Sequence, residues 1–263
     1  MNKTKIPWCN YTWNPITGCT PISEGCQNCY AAALTKRFEK SWGDFNTIRF
    51  YPGRLNGPGK VKKPSRIFVC SMGDLFHGFA KLEWQLEVFK VIEANPHHTF
   101  QILTKRPDQI TMLQHVSGYK FPNNAWIGVT VENQKQADIR IPELLKIKAA
   151  VRFVSCEPLL EKIDLSEYLY CPDCKYTEGD ARFHCDHHIC GGPGWVNWVI
   201  AGSETGPKAR LCKPDWINSL HDQCQCACGI PAVTPIPFFY KQGEAAESVK
   251  ACREFPNGQP VLE

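Results

Sequence analysis

Six short apolar runs punctuate the chain: Arg66-Ile-Phe-Val-Cys70, Thr99-Phe-Gln-Ile-Leu103, Ala125-Trp-Ile-Gly-Val129, Val151-Arg-Phe-Val-Ser155, Asn197-Trp-Val-Ile-Ala201 and Ile236-Pro-Phe-Phe-Tyr240. Most are nearly continuous rather than alternating, the pattern of strands buried on both faces. The last contains a proline, which removes a ladder donor and suits a sheet interior poorly. Between the runs the period lengthens to that of a helix. Tyr30, Leu34, Phe38 and Trp42 recur every four residues and predict an amphipathic helix. Leu82, Leu86, Phe89 and Ile92 follow the same logic, and Asn95-Pro96 closes that helix. Pro107 and Pro214 stand where a first helical turn would begin. Residues 132–149 also read as helical, with a break at Pro142.

Strand alternating with helix implies parallel strands joined by right-handed crossovers. With a further strand near Tyr11–Trp13, the count is six or seven βα units. The first expectation is an α/β fold, a partial or complete TIM-like (β/α) barrel spanning residues 1–263, and the second is an open doubly wound sheet. The widest interval, between the runs starting at 151 and 197, holds a small cysteine-rich insertion over residues 166–196. It is too short for a core of its own and reads as a metal-stapled lobe.

Composition narrows the class. No window of about 18 apolar residues exists, so no membrane span is expected. The first residues lack the apolar stretch of a secretory signal, so a cytoplasmic location is expected. The net charge of +4 permits a polyanionic partner without demanding one. Fifteen cysteines, an odd number, fit a closed set of disulfides poorly. Clustered thiols in a reducing compartment more often bind metal or serve redox chemistry.

The first cluster is Cys19, Cys26 and Cys29, spaced C-x6-C-x2-C in a loop just before the first amphipathic helix. Three thiolates suit a [4Fe–4S] cluster with one iron lacking a protein ligand. Zinc is the alternative, with Cys9 as fourth ligand of a closed site. Spacing alone does not separate the two. In the insertion, Cys171, Cys174, Cys185 and Cys190 stand among His184, His187 and His188, a pattern for structural zinc or an auxiliary cluster. Cys224, Cys226 and Cys228 alternate too closely for a simple tetrahedral site, unless Cys212 helps complete one.

Several motifs in order carry a resemblance: Trp13-Asn-Pro-Ile-Thr-Gly-Cys19, Gly25-Cys-Gln-Asn-Cys-Tyr30, Met72-Gly-Asp-Leu-Phe76, Leu103-Thr-Lys-Arg106, Gly128-Val-Thr-Val-Glu-Asn133, Ser155-Cys-Glu-Pro-Leu-Leu160, Gly202-Ser-Glu-Thr-Gly206 and Phe238-Phe-Tyr-Lys-Gln242. Through them the chain resembles a phage-encoded family of the radical S-adenosylmethionine superfamily, distantly related to spore photoproduct lyase. It departs from the superfamily's commonest C-x3-C-x2-C spacing, and Tyr30 follows the last cysteine where an aromatic usually precedes it. The resemblance implies a [4Fe–4S] cluster on Cys19, Cys26 and Cys29, S-adenosylmethionine as cofactor, and an electron donor such as flavodoxin or ferredoxin. It also implies the host cytoplasm as location. Its implied substrate is a modified thymine-derived pyrimidine in DNA, which the enzyme isomerises. The rival readings are a repair lyase on the same fold and a non-catalytic zinc-dependent nucleic-acid-binding protein, and a small-molecule, RNA or protein substrate stays open beside DNA.

In a parallel barrel the chemistry gathers at the carboxyl ends of the strands. Polar residues fall there: Ser71, Gly73, Asp74, Lys105, Arg106, Thr130, Glu132, Asn133, Glu157 and Glu204. They are the candidates for the cofactor: Gly73-Asp74, which resembles the superfamily's Gly-Gly-Glu element, for its ammonium, Lys105 or Arg106 for its carboxylate by a charge-assisted contact, and Glu132 or Asn133 for its ribose. Cys156 and Lys241 are the candidate catalytic groups. Cys156 or Cys70 could donate a hydrogen atom, if strand parity turns either inward.

Overall fold

The computed structural model describes residues 1–169, 195–225 and 235–256. The insertion cysteines Cys171, Cys174, Cys185 and Cys190 lie outside them, as do the three histidines beside those cysteines, Cys226 and Cys228.

Asn2–Lys3 (β1) runs antiparallel to Tyr11–Trp13 (β2). Ile16–Thr17 (β3) and Arg49–Phe50 (β4) form a separate ribbon. The main sheet continues from β2 through Arg66–Val69 (β5), Thr99–Thr104 (β6), Ala125–Thr130 (β7), Val151–Cys156 (β8), Trp198–Gly202 (β9) and Phe238–Gln242 (β10). From β2 to β10 every pairing is parallel and the strands lie in chain order. An order without reversal sends each right-handed crossover to the same face. A doubly wound sheet needs a reversal, so that alternative falls. The sheet curls into a half-barrel in which β10 does not close onto β1 or β2. The proline that weakened the last run precedes the strand: Pro237 leaves its carbonyl to Val199, and β10 begins at Phe238.

The helices are Tyr30–Arg37 (α1), Glu39–Trp42 (α2), Leu82–Glu93 (α3), Pro107–Ser117 (α4), Gln134–Lys146 (α5), Ser166–Leu169 (α6), Pro214–Gln225 (α7) and Glu247–Lys250 (α8). Among the described residues, none is long and apolar enough to cross a membrane. Two depart from expectation. The four-residue stripe does not make one helix: Phe38, at φ −112° and ψ 24°, separates α1 from α2. Tyr30, Phe38 and Trp42 are exposed, and α1 buries Ala31 and Thr35 instead. Conversely, α5 runs through Pro142 unbroken. Proline costs one N–H donor there, and burial of Ala137, Arg140, Ile141 and Leu144 holds the helix on both sides.

Two clusters flank the sheet. On the outer face Ile67, Val69, Ile102, Ile127, Val129 and Val199 pack against helical side chains such as Phe89, Ile110, Leu144 and Leu220. Each fully buried aliphatic side chain contributes roughly 1.5–3 kcal/mol. The concave face is filled by aromatic rings around Trp198, whose centroid lies 5.4 Å from Phe153, 5.9 Å from Trp126 and 6.3 Å from Trp8. Its indole N–H donates to the Glu254 carbonyl at 2.9 Å. These buried rings fill the lower half-barrel as an apolar floor, and the carboxyl ends of the strands form its mouth.

Candidate cofactor site at the strand ends

The three-cysteine loop starts at the sheet. Gly18 donates its N–H to the Met72 carbonyl at 3.0 Å and bridges Gly73. Its φ of +92° and an approach that would set a Cβ 2.2 Å from the Thr47 oxygen restrict this position to glycine. Cys19 donates its N–H to Phe45 O at 2.9 Å. The chain then turns through a short 3-10 stretch, Glu24–Cys26, and Cys29 becomes the N-cap of α1. All three thiols are free and half-buried.

Side chains from successive strand ends hold this loop. After β6, Arg106 donates to Cys19 Sγ at 3.4 Å, to Thr20 O at 2.8 Å and to Asp74 Oδ2 at 2.9 Å. Asp74 also accepts from Thr104 Oγ1 at 2.8 Å and from the Phe76 N–H at 3.0 Å, so both its oxygens are engaged within the protein. His77 accepts the Phe79 N–H on Nδ1 at 3.1 Å, which leaves its Nε2–H to donate to Thr20 Oγ1 at 2.8 Å. After β7, Glu132 is fully buried against Gly25, where a Cβ would meet its carboxyl carbon at 2.8 Å. Arg140 donates to Glu132 Oε2 at 2.8 Å, and Lys105 Nζ lies 4.0 Å from that oxygen. Asn133 donates its amide to Glu24 and caps α5 through the Gln136 N–H. After β9, Glu204 accepts from Arg210 and from Asn28, one of the two residues between Cys26 and Cys29.

The electrostatics differ from thiol to thiol. Burial raises the Cys19 thiol and the Asp74 carboxylate adds to that rise, with Arg106 opposing both. Burial also opposes ionisation of Cys26, but hydrogen bonds at Ile22 and Ser23 together with the Lys105 ammonium outweigh it and hold the thiol below its usual range. Burial works against the Glu132 carboxylate, and Lys105 and Arg140 overcome it. The Arg210 guanidinium holds Glu204 down to about 2.

Beneath the loop, at the mouth, Lys241 pairs with Glu157, and Gln242 donates to the same carboxylate at 3.2 Å. Lys241 is close enough to the concave-face thiol of Cys9 to oppose the burial that lifts it to about 12. Tyr30 donates its hydroxyl to Ser71 O at 2.5 Å, and Ser71 and Met72 are tied to Asn14. Thr130 is buried, its carbonyl taken by Arg140 at 2.7 Å. Cys156 and Cys70 pack in the outer cluster, Cys156 near Cys224 of α7, so neither faces the concave side. Cys9 is buried among the floor aromatics.

The strand-end residues therefore divide. Arg106, Glu132, Asn133 and Glu204 grip the cysteine loop, with Asp74 holding Arg106; Ser71, Glu157 and Lys241 stand at the mouth. Sequence reading did not single out Arg210, Arg140, His77 or Asn28. The one available signal was the acid of Glu204 at a strand end, which calls for a cation.

Among the described residues, no group of three or more His, Cys, Asp or Glu side chains is gathered closely enough to hold a metal ion. The donor set nonetheless fits an iron–sulfur cluster in number, softness and location: three free thiols on one loop, with Cys19 and Cys26 within electrostatic reach of each other. Their side chains stand as three separate thiols.

No curated protein matches the sequence. Two solved structures are similar in fold. One is a cysteine-to-serine mutant of spore photoproduct lyase, 13% identical with a TM-score of 0.48; the other is spore photoproduct lyase complexed with dinucleoside spore photoproduct, 12% identical with a TM-score of 0.49. Each match covers 92% of this chain and 79% of the other. Residues 3–259 match the model of the family described as "Protein of unknown function (DUF5131)", and the chain belongs to that family.

Proposed function

We propose that this protein is a radical S-adenosylmethionine enzyme whose cluster is held by Cys19, Cys26 and Cys29 and whose substrate is a modified thymine-derived base in DNA. The observation that carries this reading is the position of the three thiols: one loop, at the carboxyl-end mouth of a parallel half-barrel, gripped by side chains from three strand-end segments. That mouth is where parallel barrels gather their chemistry. When bound, such a cluster supplies one-electron cleavage of S-adenosylmethionine to a 5′-deoxyadenosyl radical, with the electron coming from a donor such as flavodoxin or ferredoxin.

The chain's own residues supply the rest. Arg106, Glu132, Asn133 and Glu204 hold the loop in place. Lys105, its side chain 19% exposed beside Glu132, is available to a carboxylate of the cofactor. Lys241 and Glu157 present a paired cation and anion at the mouth, suited to the polar edge of a base that has left its stack. The aromatic floor keeps water from below.

Anaerobic reconstitution with iron and sulfide, reduction, and addition of S-adenosylmethionine test the reading. The expected result is a brown protein that forms 5′-deoxyadenosine and loses both properties when any of Cys19, Cys26 and Cys29 is replaced by alanine. Zinc at those thiols with no cleavage overturns the proposal and favours a zinc-dependent nucleic-acid-binding protein. Product analysis on hypermodified against damaged DNA separates isomerase from lyase.

A further inference from the structure

Charge is segregated along this chain. Residues 1–23 and 45–73 contain eight of the 30 lysines and arginines and none of the 26 acids, a net of +8 that leaves −4 for the remainder. The fold brings the two stretches together: β1 pairs with β2, β2 with β5, and β3 with β4. Segregation in sequence thus becomes segregation in space, along the β1–β2–β5 edge of the half-barrel.

At the amino ends of β2 and β5 this edge opens into a cleft of about 430 Å³, lined by Lys3, Lys5, Asn10, Tyr11, Lys63 and Ser65 among others, with no acidic residue in its wall. Lys60 and Lys62 precede it and are exposed, as are Lys3, Lys5 and Lys63. Among the described residues none of these five lysines forms an ion pair. Like charges held together without counter-charges repel, and a polyanion that neutralises them releases its own condensed counterions on binding.

We propose that this cleft binds the phosphate backbone of a nucleic acid. Its concave shape suits a strand better than a lipid surface. None of the large exposed apolar side chains (Ile22, Tyr30, Phe38, Trp42, Phe79, Met112, Val116, Ile139 and Leu211) lies in its wall to enter a bilayer. Asn10 in the cleft and Asn14 at the mouth are four residues apart, about 13 Å of extended chain. Cys9, which lines the cleft, lies within electrostatic reach of Lys241, and this links the cleft to the Lys241–Glu157 pair. The inference rests on the nucleic-acid part of the proposed function and not on its radical part.

The test is fluorescence anisotropy of labelled single-stranded and duplex oligonucleotides with the full chain as purified, titrated across about 50 to 200 mM salt. The variant is Lys3→Gln/Lys5→Gln/Lys63→Gln, with the corresponding triple Lys→Arg variant as its charge-retaining partner and circular dichroism to verify folding. The expected result is salt-dependent binding that weakens at least about tenfold in the glutamine variant. Its salt slope on duplex falls by about 2 to 3, and the arginine variant binds as the parent does. Absence of binding, binding indifferent to the three lysines, or binding to phosphatidylserine vesicles but not to oligonucleotides overturns it. Failure to cleave S-adenosylmethionine in the separate assay leaves it standing.

Discussion

Arg210 grips Glu204 through two different nitrogens, Nε at 3.0 Å from one carboxylate oxygen and Nη2 at 2.7 Å from the other. Asn28 donates to the first of those oxygens at 2.9 Å, and Arg210 reaches on to the Glu24 carbonyl at 3.0 Å. The pair therefore fastens the segment after β9 to the stretch that carries Cys26 and Cys29.

Opening this clamp should free the loop. Hydrogen bonds to a charged group contribute about 1.5–3 kcal/mol each. Glu204→Gln or Arg210→Gln should speed alkylation of Cys26 and Cys29 by about tenfold or more, read by mass spectrometry, and lower iron retention after reconstitution. Arg210→Lys should recover part of the loss. Unchanged alkylation rates would show that the loop is held by other contacts.

Glu204 also sets a pH dependence. Its folded value, about 2, lies below the unfolded value of about 4.3. A depressed carboxylate stabilises the fold fully above the unfolded value and loses that contribution as pH falls toward the folded one. The stability gap between the parent and Glu204→Gln should be largest above about pH 5 and narrow towards about pH 2. Urea titrations at a series of pH values measure it; a constant gap would exclude the pair as the cause.

Two glycines separate backbone strain from collision. Gly206 has φ +103° and nothing within 4 Å of the place a Cβ would take, whereas Gly18 has φ +92° and the Thr47 oxygen at 2.2 Å. Gly206→Ala should cost about 1–2 kcal/mol from φ alone, and Gly18→Ala about 2 kcal/mol more. Thermal melts give the difference, and equal losses would mean that the Thr47 segment yields without cost.

Cys156 and Lys241 should behave oppositely. Cys156 is fully buried on the helix side of the sheet, its thiol pushed far up by burial. Cys156→Ala should lower stability by about 1–2 kcal/mol and leave iron content and the hydrogen-atom source of the product unchanged. Lys241→Gln should leave stability and iron content near the parent and reduce turnover of the DNA substrate by about 100-fold. Deuterium tracing of the product together with melts decides both; a changed isotope pattern in Cys156→Ala would restore that thiol as a donor.

Some of this was written in local sequence. Continuous apolar runs mark β5 through β9, because a strand covered on both faces needs apolar side chains throughout. Pro107 and Pro214 mark the first turns of α4 and α7, because a first-turn residue has no N–H to place. The three-cysteine loop before α1 is legible because its spacing is short. Other features required the tertiary structure. The same continuity that reveals a strand erases its parity, so nothing in Val151-Arg-Phe-Val-Ser155 tells that Cys156 turns outward; the curl of the sheet and the one-sided helices decide it. The stripe from Tyr30 to Trp42 has helical period, yet only the neighbouring loop decides that Ala31 and Thr35 are the buried side. The grip of Arg106 on Cys19 spans 87 positions and that of Asn28 on Glu204 spans 176. Periodicity is a local property of the chain, whereas the partner of a buried charge is whatever group the strand order brings within about 3 Å of it.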